Sequence, residues 1–577
     1  MDGGYFPSQW GLATLGFVLV GVTVLVVAEP SMPSRRELVF VGGLTLVAGW
    51  AALSALWSAG AGAPVLDAER GVLYVAAAAA ALLLLALPGA APGLLGGVVA
   101  GAVALSLYGL ATRLFPGHVG GAYEPAGYQL AQPIGYANAL AMVVVVGILL
   151  SVGFTAHGCL RVRVAGAISL VVLLPTLYFT VSRGAIGALV AGFIVQALID
   201  PGRRRLLTVS VPLAAPAAFA VLILPRFPGL TTHGAELEAA QHDGSRFALI
   251  LFVLSVVAVF AAILLERRDL RSPASTRRSG RVLAAVALVT AVVAVPLGVI
   301  AASRSEGLVS SAGSGRREWW HVATTMVADE PLLGTGAGSF EARFVREGSI
   351  GLPARDAHNL YLETLAELGP VGLALLLATV AVPLTAIPQA ARSSVVGPAA
   401  AAAFVAYLLQ AALDWTWEIP VATVPALLCA AVLLAEIREP DGDLLVGHRR
   451  AVALALAAPV LALALVTHVG NSAAAASAEA ANRDEPERAL REAKRAIAWT
   501  PWSEEPWQLR GEAELLLDDD AAARRSFERS LELNPESWVA WLDLAAVTNG
   551  VVRARALDRA ESLNPLGVDA DELRTKP

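Results

Sequence analysis

Long apolar runs alternate with short polar segments along the first 470 residues. A helix that crosses a bilayer needs about 20 mostly apolar residues, and fourteen runs approach that length. They lie near 10–28, 38–57, 71–87, 94–112, 137–154, 164–181, 184–199, 206–224, 247–265, 282–303, 364–390, 397–414, 419–437 and 450–468. This pattern predicts an all-α fold, a polytopic membrane helix bundle of about 12–14 spans that occupies residues 1–469.

Composition agrees with the pattern, since 56% of the residues are hydrophobic and only 16% are charged. The first run lacks a basic n-region and a cleavage site, so we interpret it as a retained span. Cys159 and Cys429 are isolated and fit no metal or redox motif, which favours a packing role. No basic patch with interleaved aromatic residues occurs, and nucleic acid is therefore not an expected partner.

Arginines indicate the orientation of the spans. They fall in alternate loops at Arg35/Arg36, Arg161/Arg163, Arg203–Arg205, Arg267–Arg281, Arg392 and Arg449/Arg450. Loops rich in arginine are usually cytoplasmic. The other loops, including the large loop 304–363, are then predicted to be extracytoplasmic, as are both termini.

After residue 470 the chain becomes polar and amphipathic, with 21 acidic and 14 basic residues. An offset of 34 residues pairs Trp507 with Trp541 and Pro501 with Pro535, a period that resembles the tetratricopeptide repeat. We therefore predict a helical repeat domain at 470–577. It is either a cap for the membrane domain or a docking surface for a protein partner, and the docking role is favoured.

The longest polar segment before residue 470 runs from Arg316 to Gly372 and contains the candidate chemistry. His358 lies between Asp356 and Asn359, just before an apolar helix that starts near Tyr361. A neutral imidazole can take a proton from a hydroxyl, so His358 is a candidate general base with a nearby carboxylate to orient it. The alternative is a histidine with a packing role only.

Three arginines are predicted to share the outer membrane face with His358. Arg183, in the sequence Ser-Arg-Gly, separates two apolar runs, and Arg316 and Arg317 begin the central segment. A guanidinium can extend to the interface simply to reach water, or it can bind phosphate oxygens. No cluster of metal ligands accompanies them, so no metal and no cofactor are predicted.

Two other polar features have structural alternatives. The run from Gly334 to Gly338 lacks the lysine of a phosphate-binding loop, and we interpret it as a tight packing turn. Asn138 could bind a sugar or a headgroup, or it could cap the helix that follows. Asp414 and Glu418 lie at another predicted outer edge, where a turn between helices explains them equally well.

The central segment resembles a known family. Trp320, ten residues, PLLGTGAGSF and then DAHNLYLETLAELGPVGL are similar to the signature of the O-antigen ligase and O-antigen polymerase superfamily, which includes protein O-oligosaccharyltransferases. The Ser182–Gly184 triplet, LxxLWS at 53–58 and PIGYANALA at 133–141 resemble its weaker motifs. The resemblance covers roughly residues 40 to 437.

The resemblance implies a metal-independent, inverting glycosyltransferase on the outer side of the bacterial cytoplasmic membrane. Its donor would be a glycan on undecaprenyl pyrophosphate, and its acceptor a hydroxyl on lipid, glycan or protein. By the same resemblance His358, Arg183 and Arg316 are catalytic. Expected substrate-binding residues are Arg317 (the fallback for Arg316), Asn359, Tyr361, Asn138 and Asp356. The tail and the higher span count depart from the family pattern.

Two other classes of function remain open at this stage. A transporter or flippase of lipid-linked saccharide would also need many spans and interior arginines, but it would need no base at His358. A non-enzymatic envelope scaffold would use mainly the repeat tail. The presence of both His358 and Arg183 favours the enzyme.

Overall fold

The computed structural model describes residues 3–120, 129–271, 311–349, 354–439 and 443–569. Apart from one isolated bridge between Ser31 and Leu444, every regular element in these ranges is helical, which confirms the all-α prediction. The longer helices, numbered along the chain, are α1 (Pro7–Val27), α2 (Arg35–Leu53), α3 (Gly62–Leu84), α4 (Ala90–Leu114), α5 (Ala137–His157), α6 (Leu160–Thr180), α7 (Arg183–Ile199), α8 (Val211–Ile223), α9 (Leu237–Arg271), α10 (Ser311–Asp329), α11 (Phe340–Glu347), α12 (Leu360–Ser393), α13 (Gly397–Ala411), α14 (Pro420–Ala435), α15 (Gly447–Asn482), α16 (Pro486–Trp499), α17 (Glu505–Leu516), α18 (Asp520–Leu533), α19 (Trp538–Ala546) and α20 (Gly550–Leu563).

Nine helical segments within the described residues are long and apolar enough to cross a membrane. They are α1, α2 with its extension to Leu56, α4, α5, α6, Arg203–Arg226 (which contains α8), α9, α12 and α15. Three further apolar helices in the described residues, α7, α13 and α14, are shorter than this length. The chain is therefore a multi-pass membrane protein. The predicted span 282–303 lies outside the described residues.

The exposed side chains of α9 explain why a bilayer is needed. Leu249, Phe252, Val256 and Phe260 recur every three or four residues and are all exposed. In the apolar 18-residue stretch of α9 only 11% is buried, whereas in the corresponding stretch of α5 94% is buried. Exposure of such an apolar stripe to water would raise the free energy of the folded protein, whereas contact with lipid tails would not.

The chain divides into two compact units, each built from separate stretches of sequence. The first comprises Met1–Gly3, Leu85–Val309 and Val382–Gly442. Its central helix is α5, which packs against α4, α6, α7, α13 and α14. Small residues allow these close approaches: a Cβ on Gly147 would lie 2.8 Å from the Cβ of Ala102.

The second unit comprises Gly4–Leu84, Ser310–Ala381 and Asp443–Pro577. In it α1 packs against α3 and α15, and α2 packs against α3. The amide of Asn471 on α15 donates a hydrogen bond to the buried Glu69 carboxylate on α3 at 2.8 Å. Helix α15 thus anchors the C-terminal helices to two helices near the start of the chain.

The predicted domain boundary between residues 469 and 470 falls inside the unbroken helix α15. Helices α16 to α20 follow it, and each packs on the next. Gly511 lets the ring of Phe527 approach, since a Cβ on Gly511 would lie 2.4 Å from Cε1 of Phe527. Both residues lie within the predicted repeat domain at 470–577. The repeat assignment and the division into domains 1–469 and 470–577 remain predictions.

Candidate functional site

His358 occupies an unusual backbone position immediately before α12. Its φ is +54°, a left-handed conformation that is uncommon outside glycine. Its Nδ1 lies 2.9 Å from the main-chain oxygen of Asp356. A carbonyl oxygen can only accept a hydrogen bond, so Nδ1 is the donor in this contact. The partner expected from the sequence was the Asp356 carboxylate. The main-chain oxygen of that residue makes the contact on Nδ1, and an orienting role for the carboxylate stays a prediction.

The next residues fix the start of α12. The side-chain oxygen of Asn359 accepts hydrogen bonds from the main-chain N–H groups of Tyr361 and Leu362, each at 3.2 Å. The Glu363 carboxylate accepts from the N–H of Ala357 at 2.7 Å. Asn359, predicted to bind substrate, therefore caps a helix. Tyr361 is half-buried in the first turn.

Trp319 on α10 stacks on His358. The ring centroids are 3.9 Å apart and the planes meet at 21°. Arg316 precedes Trp319 by three residues and is half-buried, whereas Arg317 is exposed. Residues three apart lie on the same side of a helix, so Arg316 and Trp319 share one face of α10.

The guanidinium of Arg316 has one donor that no described residue satisfies. Its Nε is buried and has no hydrogen-bond partner within the described part of the chain. A buried donor without a partner costs about 1–3 kcal/mol. An anionic oxygen at this position would remove that cost, which is the chemistry expected of a phosphate-binding arginine.

A small apolar core holds these parts together. It joins α10, α11, the residues before His358 and the first turns of α12. The buried members are Val322, Ala323, Met326, Phe340, Phe344, Ala354, Ala357 and Ala366. Because the core fixes both α10 and the start of α12, it also fixes the stack of Trp319 on His358.

The glycine turn between α10 and α11 is a packing device, in agreement with the interpretation of its sequence. Gly334, Gly336 and Gly338 all have positive φ. The Glu367 carboxylate accepts hydrogen bonds from the N–H groups of Gly338 at 2.8 Å and Phe340 at 2.9 Å. A protein carboxylate therefore occupies the anion-binding concavity of the turn.

The LxxLWS motif at 53–58 supports the same turn. The hydroxyl of Ser54 accepts from the N–H of Ala337 at 3.0 Å. A Cβ on Gly336 would lie 1.9 Å from Oγ of Ser58, so only glycine fits there. Two sequence motifs almost 280 residues apart thus form one structural element.

Asp356 is buried beside charged residues. Burial raises the pKa of Asp356 to about 7, although the nearby Arg70 and Arg355 lower it. Arg355 also donates a hydrogen bond to the Tyr5 hydroxyl at 2.9 Å. Arg70, Arg355 and Tyr5 were not among the predicted site residues. Arg355 adjoins Asp356 in the sequence, but Arg70 and Tyr5 are remote from it, and no local pattern links them to Asp356.

Arg183 and Asn138, the two predicted site residues not yet described, belong to the first unit. Ser182 caps α7, and Arg183 is exposed in the first turn of that helix. Val181, directly before them, has a φ of +54°, which is a strained conformation for a β-branched residue. Gly184 leaves space for Gln410, whose Oε1 would lie 2.7 Å from a Cβ on that glycine.

Asn138 takes part in a hydrogen-bond network. Its amide donates to the Tyr136 hydroxyl at 2.9 Å, and that hydroxyl donates to the buried Asp414 carboxylate at 2.6 Å. Tyr136 also contacts the ring of Trp415. These contacts give Asn138 and Asp414 a structural task at the ends of α5 and α13.

The fold and the polar segment define a class: a multi-pass helical membrane protein with a histidine and an arginine gathered beside a candidate span. Residues 239–377 match the model of the O-antigen ligase family. This match contains α10, the glycine turn and His358. The chain is thus a multi-pass membrane protein whose central part is similar to the O-antigen ligase family, a family of glycosyltransferase-like membrane enzymes. No curated protein matches the chain.

Proposed function

We propose that this protein transfers a glycan from an undecaprenyl-pyrophosphate donor to an acceptor hydroxyl, with His358 as the general base. The observation that carries the proposal is the hydrogen bond between Nδ1 of His358 and the Asp356 main-chain oxygen. It leaves Nε2 as the basic nitrogen, which is the state a general base requires.

In the proposed reaction Nε2 of His358 takes the proton of the acceptor hydroxyl. The acceptor oxygen attacks the anomeric carbon, and the bond from that carbon to the pyrophosphate oxygen breaks on the opposite side. The configuration inverts, and the leaving pyrophosphate keeps the bonding electrons. No metal and no covalent enzyme intermediate take part.

Arg316 binds the pyrophosphate in this proposal, because its buried Nε lacks a hydrogen-bond partner among the described residues and a guanidinium pairs well with phosphate oxygens. The interaction strengthens as negative charge grows on the leaving group. A second phosphate contact is assigned to Arg183 through the family resemblance, and Arg317 is the fallback for Arg316. Asp356, Tyr361, Asn359 and Asn138 are proposed to border the substrate.

The reaction is proposed for the outer face of the cytoplasmic membrane, where the arginine pattern of the loops puts the central segment. The C-terminal helices are proposed to lie on the same side and to bind a protein partner or acceptor. They form a tetratricopeptide-like domain in this proposal.

The test is a transfer assay in reconstituted vesicles with a lipid-pyrophosphate-linked oligosaccharide and a panel of lipid, glycan and protein acceptors. We expect His358→Ala to lower turnover by at least about 100-fold while donor binding persists. The matched control is His321→Ala, since His321 is an exposed histidine on α10. Arg316→Ala should weaken donor binding as well as turnover.

Full transfer by His358→Ala would remove the proposed base. Movement of the donor across the bilayer without any transfer to an acceptor would favour the transporter instead. Unchanged donor affinity in Arg316→Ala would contradict the phosphate contact.

A further inference from the structure

The stack between Trp319 and His358 has a role that the sequence signature does not contain. The imidazole and indole planes are nearly parallel, at 21°, with centroids 3.9 Å apart. His358 also holds a left-handed backbone conformation, a strained state that persists only where the surrounding structure imposes it. The surroundings include a flat aromatic face against one side of the ring.

The hydrogen bond on Nδ1 orients the ring through a main-chain dipole. In many histidine bases a carboxylate at this position stabilises the imidazolium that forms when the base takes a proton. Here the acceptor is the main-chain oxygen of Asp356. A carbonyl dipole is a weaker partner for a cation than a carboxylate.

An indole face can stabilise a cation. The attraction between a cation and the face of a tryptophan ring is worth about 0.5–1 kcal/mol in exposed sites and about 2 kcal/mol when water is excluded. Trp319 and His358 are both half-buried. The distance between their centroids is well within the range of about 6 Å in which this attraction acts.

The position of Trp319 is itself fixed. It packs against the apolar core of α10, α11 and α12. A Cβ on Gly315, one turn earlier on α10, would lie 2.9 Å from Cζ2 of Trp319. The indole therefore has little freedom to leave the imidazole.

We infer that Trp319 is a positioning residue for His358, which holds the imidazole in its reactive orientation and stabilises the imidazolium formed during transfer. This inference rests on the proposed role of His358 as the base. The role is proposed for Trp319 and not for the adjacent Trp320, the first residue of the segment that resembles the family signature.

Charged and titratable residues also lie on the elements around His358. On α10, the segment before His358 and the start of α12 they are Arg316, Arg317, Glu318, His321, Arg355, Asp356, Tyr361 and Glu363. The variants below leave all of them in place, so a change in protonation is assigned to the indole.

The test compares Trp319→Phe, which keeps an aromatic face, with Trp319→Leu, which keeps only apolar volume. We expect Trp319→Leu to lower kcat by roughly 5- to 30-fold, with little change in KM for the lipid-linked donor. The acidic limb of its pH–rate profile should move to lower pH, because a less stabilised imidazolium loses its proton more readily. Trp319→Phe should restore most of kcat.

Trp499→Leu is the matched control, because Trp499 is exposed on α16 and the same substitution there should leave kcat unchanged. If Trp319→Leu does not fold, site-specific incorporation of mono-, di- and trifluorotryptophan at position 319 keeps the shape. The logarithm of kcat should then fall stepwise as fluorine withdraws charge from the ring face.

Two results would overturn the inference, and they separate it from the proposed function. Wild-type kcat and an unmoved acidic limb in Trp319→Leu, together with an inactive His358→Ala, would remove the role of Trp319 alone. A flat response to fluorination would do the same. An active His358→Ala would remove the proposed base and this inference with it.

Discussion

The carboxylate of Glu367 accepts a hydrogen bond from the main-chain N–H of Gly338 at 2.8 Å. The glycine turn is therefore bound by a side chain of the same protein. A second hydrogen bond reaches the N–H of Phe340 at 2.9 Å. A glycine-rich turn with converging N–H groups usually suggests a phosphate ligand. In this chain the anion is a side chain 29 residues further along.

Replacement of Glu367 should therefore destabilise the protein. Glu367→Ala removes both acceptors and leaves two N–H groups unpaired, which we expect to cost about 2–4 kcal/mol. Glu367→Gln retains one oxygen acceptor and should cost less. Thermal unfolding in detergent measures both effects, and equal unfolding temperatures for Glu367→Ala and the wild type would contradict the assigned role.

Asp356 should make the stability of the protein depend on pH. Burial raises its pKa to about 7, whereas an unfolded aspartate titrates near 3.9. Between about pH 4 and pH 7 the folded state binds the extra proton, so stability falls as the pH rises, by up to about 1.4 kcal/mol per unit. The contribution is fully present below about pH 4 and lost above about pH 7.

Asp356→Asn should remove this component of the pH dependence. Unfolding temperatures measured from pH 4.5 to pH 8 should fall less steeply in the variant than in the wild type. Parallel curves for the two proteins would exclude Asp356 as the source. The main-chain oxygen that contacts His358 is kept in this variant, so its effect is confined to the carboxylate.

The Glu69–Asn471 hydrogen bond should couple α3 to α15. Asn471→Leu leaves the buried Glu69 without this donor, and we expect a loss of about 1–3 kcal/mol. The double variant Glu69→Leu with Asn471→Leu removes both polar groups and should recover much of that loss. A double-mutant cycle of unfolding temperatures measures the coupling, and strictly additive effects would argue against it.

Local patterns in the chain predicted the elements but not the partners within the site. The imidazole of His358 and the residues that flank it are adjacent in sequence, so a base near the start of α12 could be proposed from them. The sequence offered two neighbouring tryptophans and no means of choosing Trp319. It also suggested the Asp356 carboxylate as an orienting group, and the structure adds a contact from the main-chain oxygen of that residue to Nδ1.

The helical membrane fold was decided by the sequence alone, because a bilayer admits helices of about 20 apolar residues and each such run can be recognised locally. The tight glycine turn could also be predicted locally, because closely spaced glycines favour a turn with positive φ. Tertiary structure decided that Glu367 fills that turn, that Trp319 covers His358, and that α15 continues past residue 470 against α3. Those contacts join residues far apart in the chain, and their formation depends on how whole helices pack rather than on any local pattern.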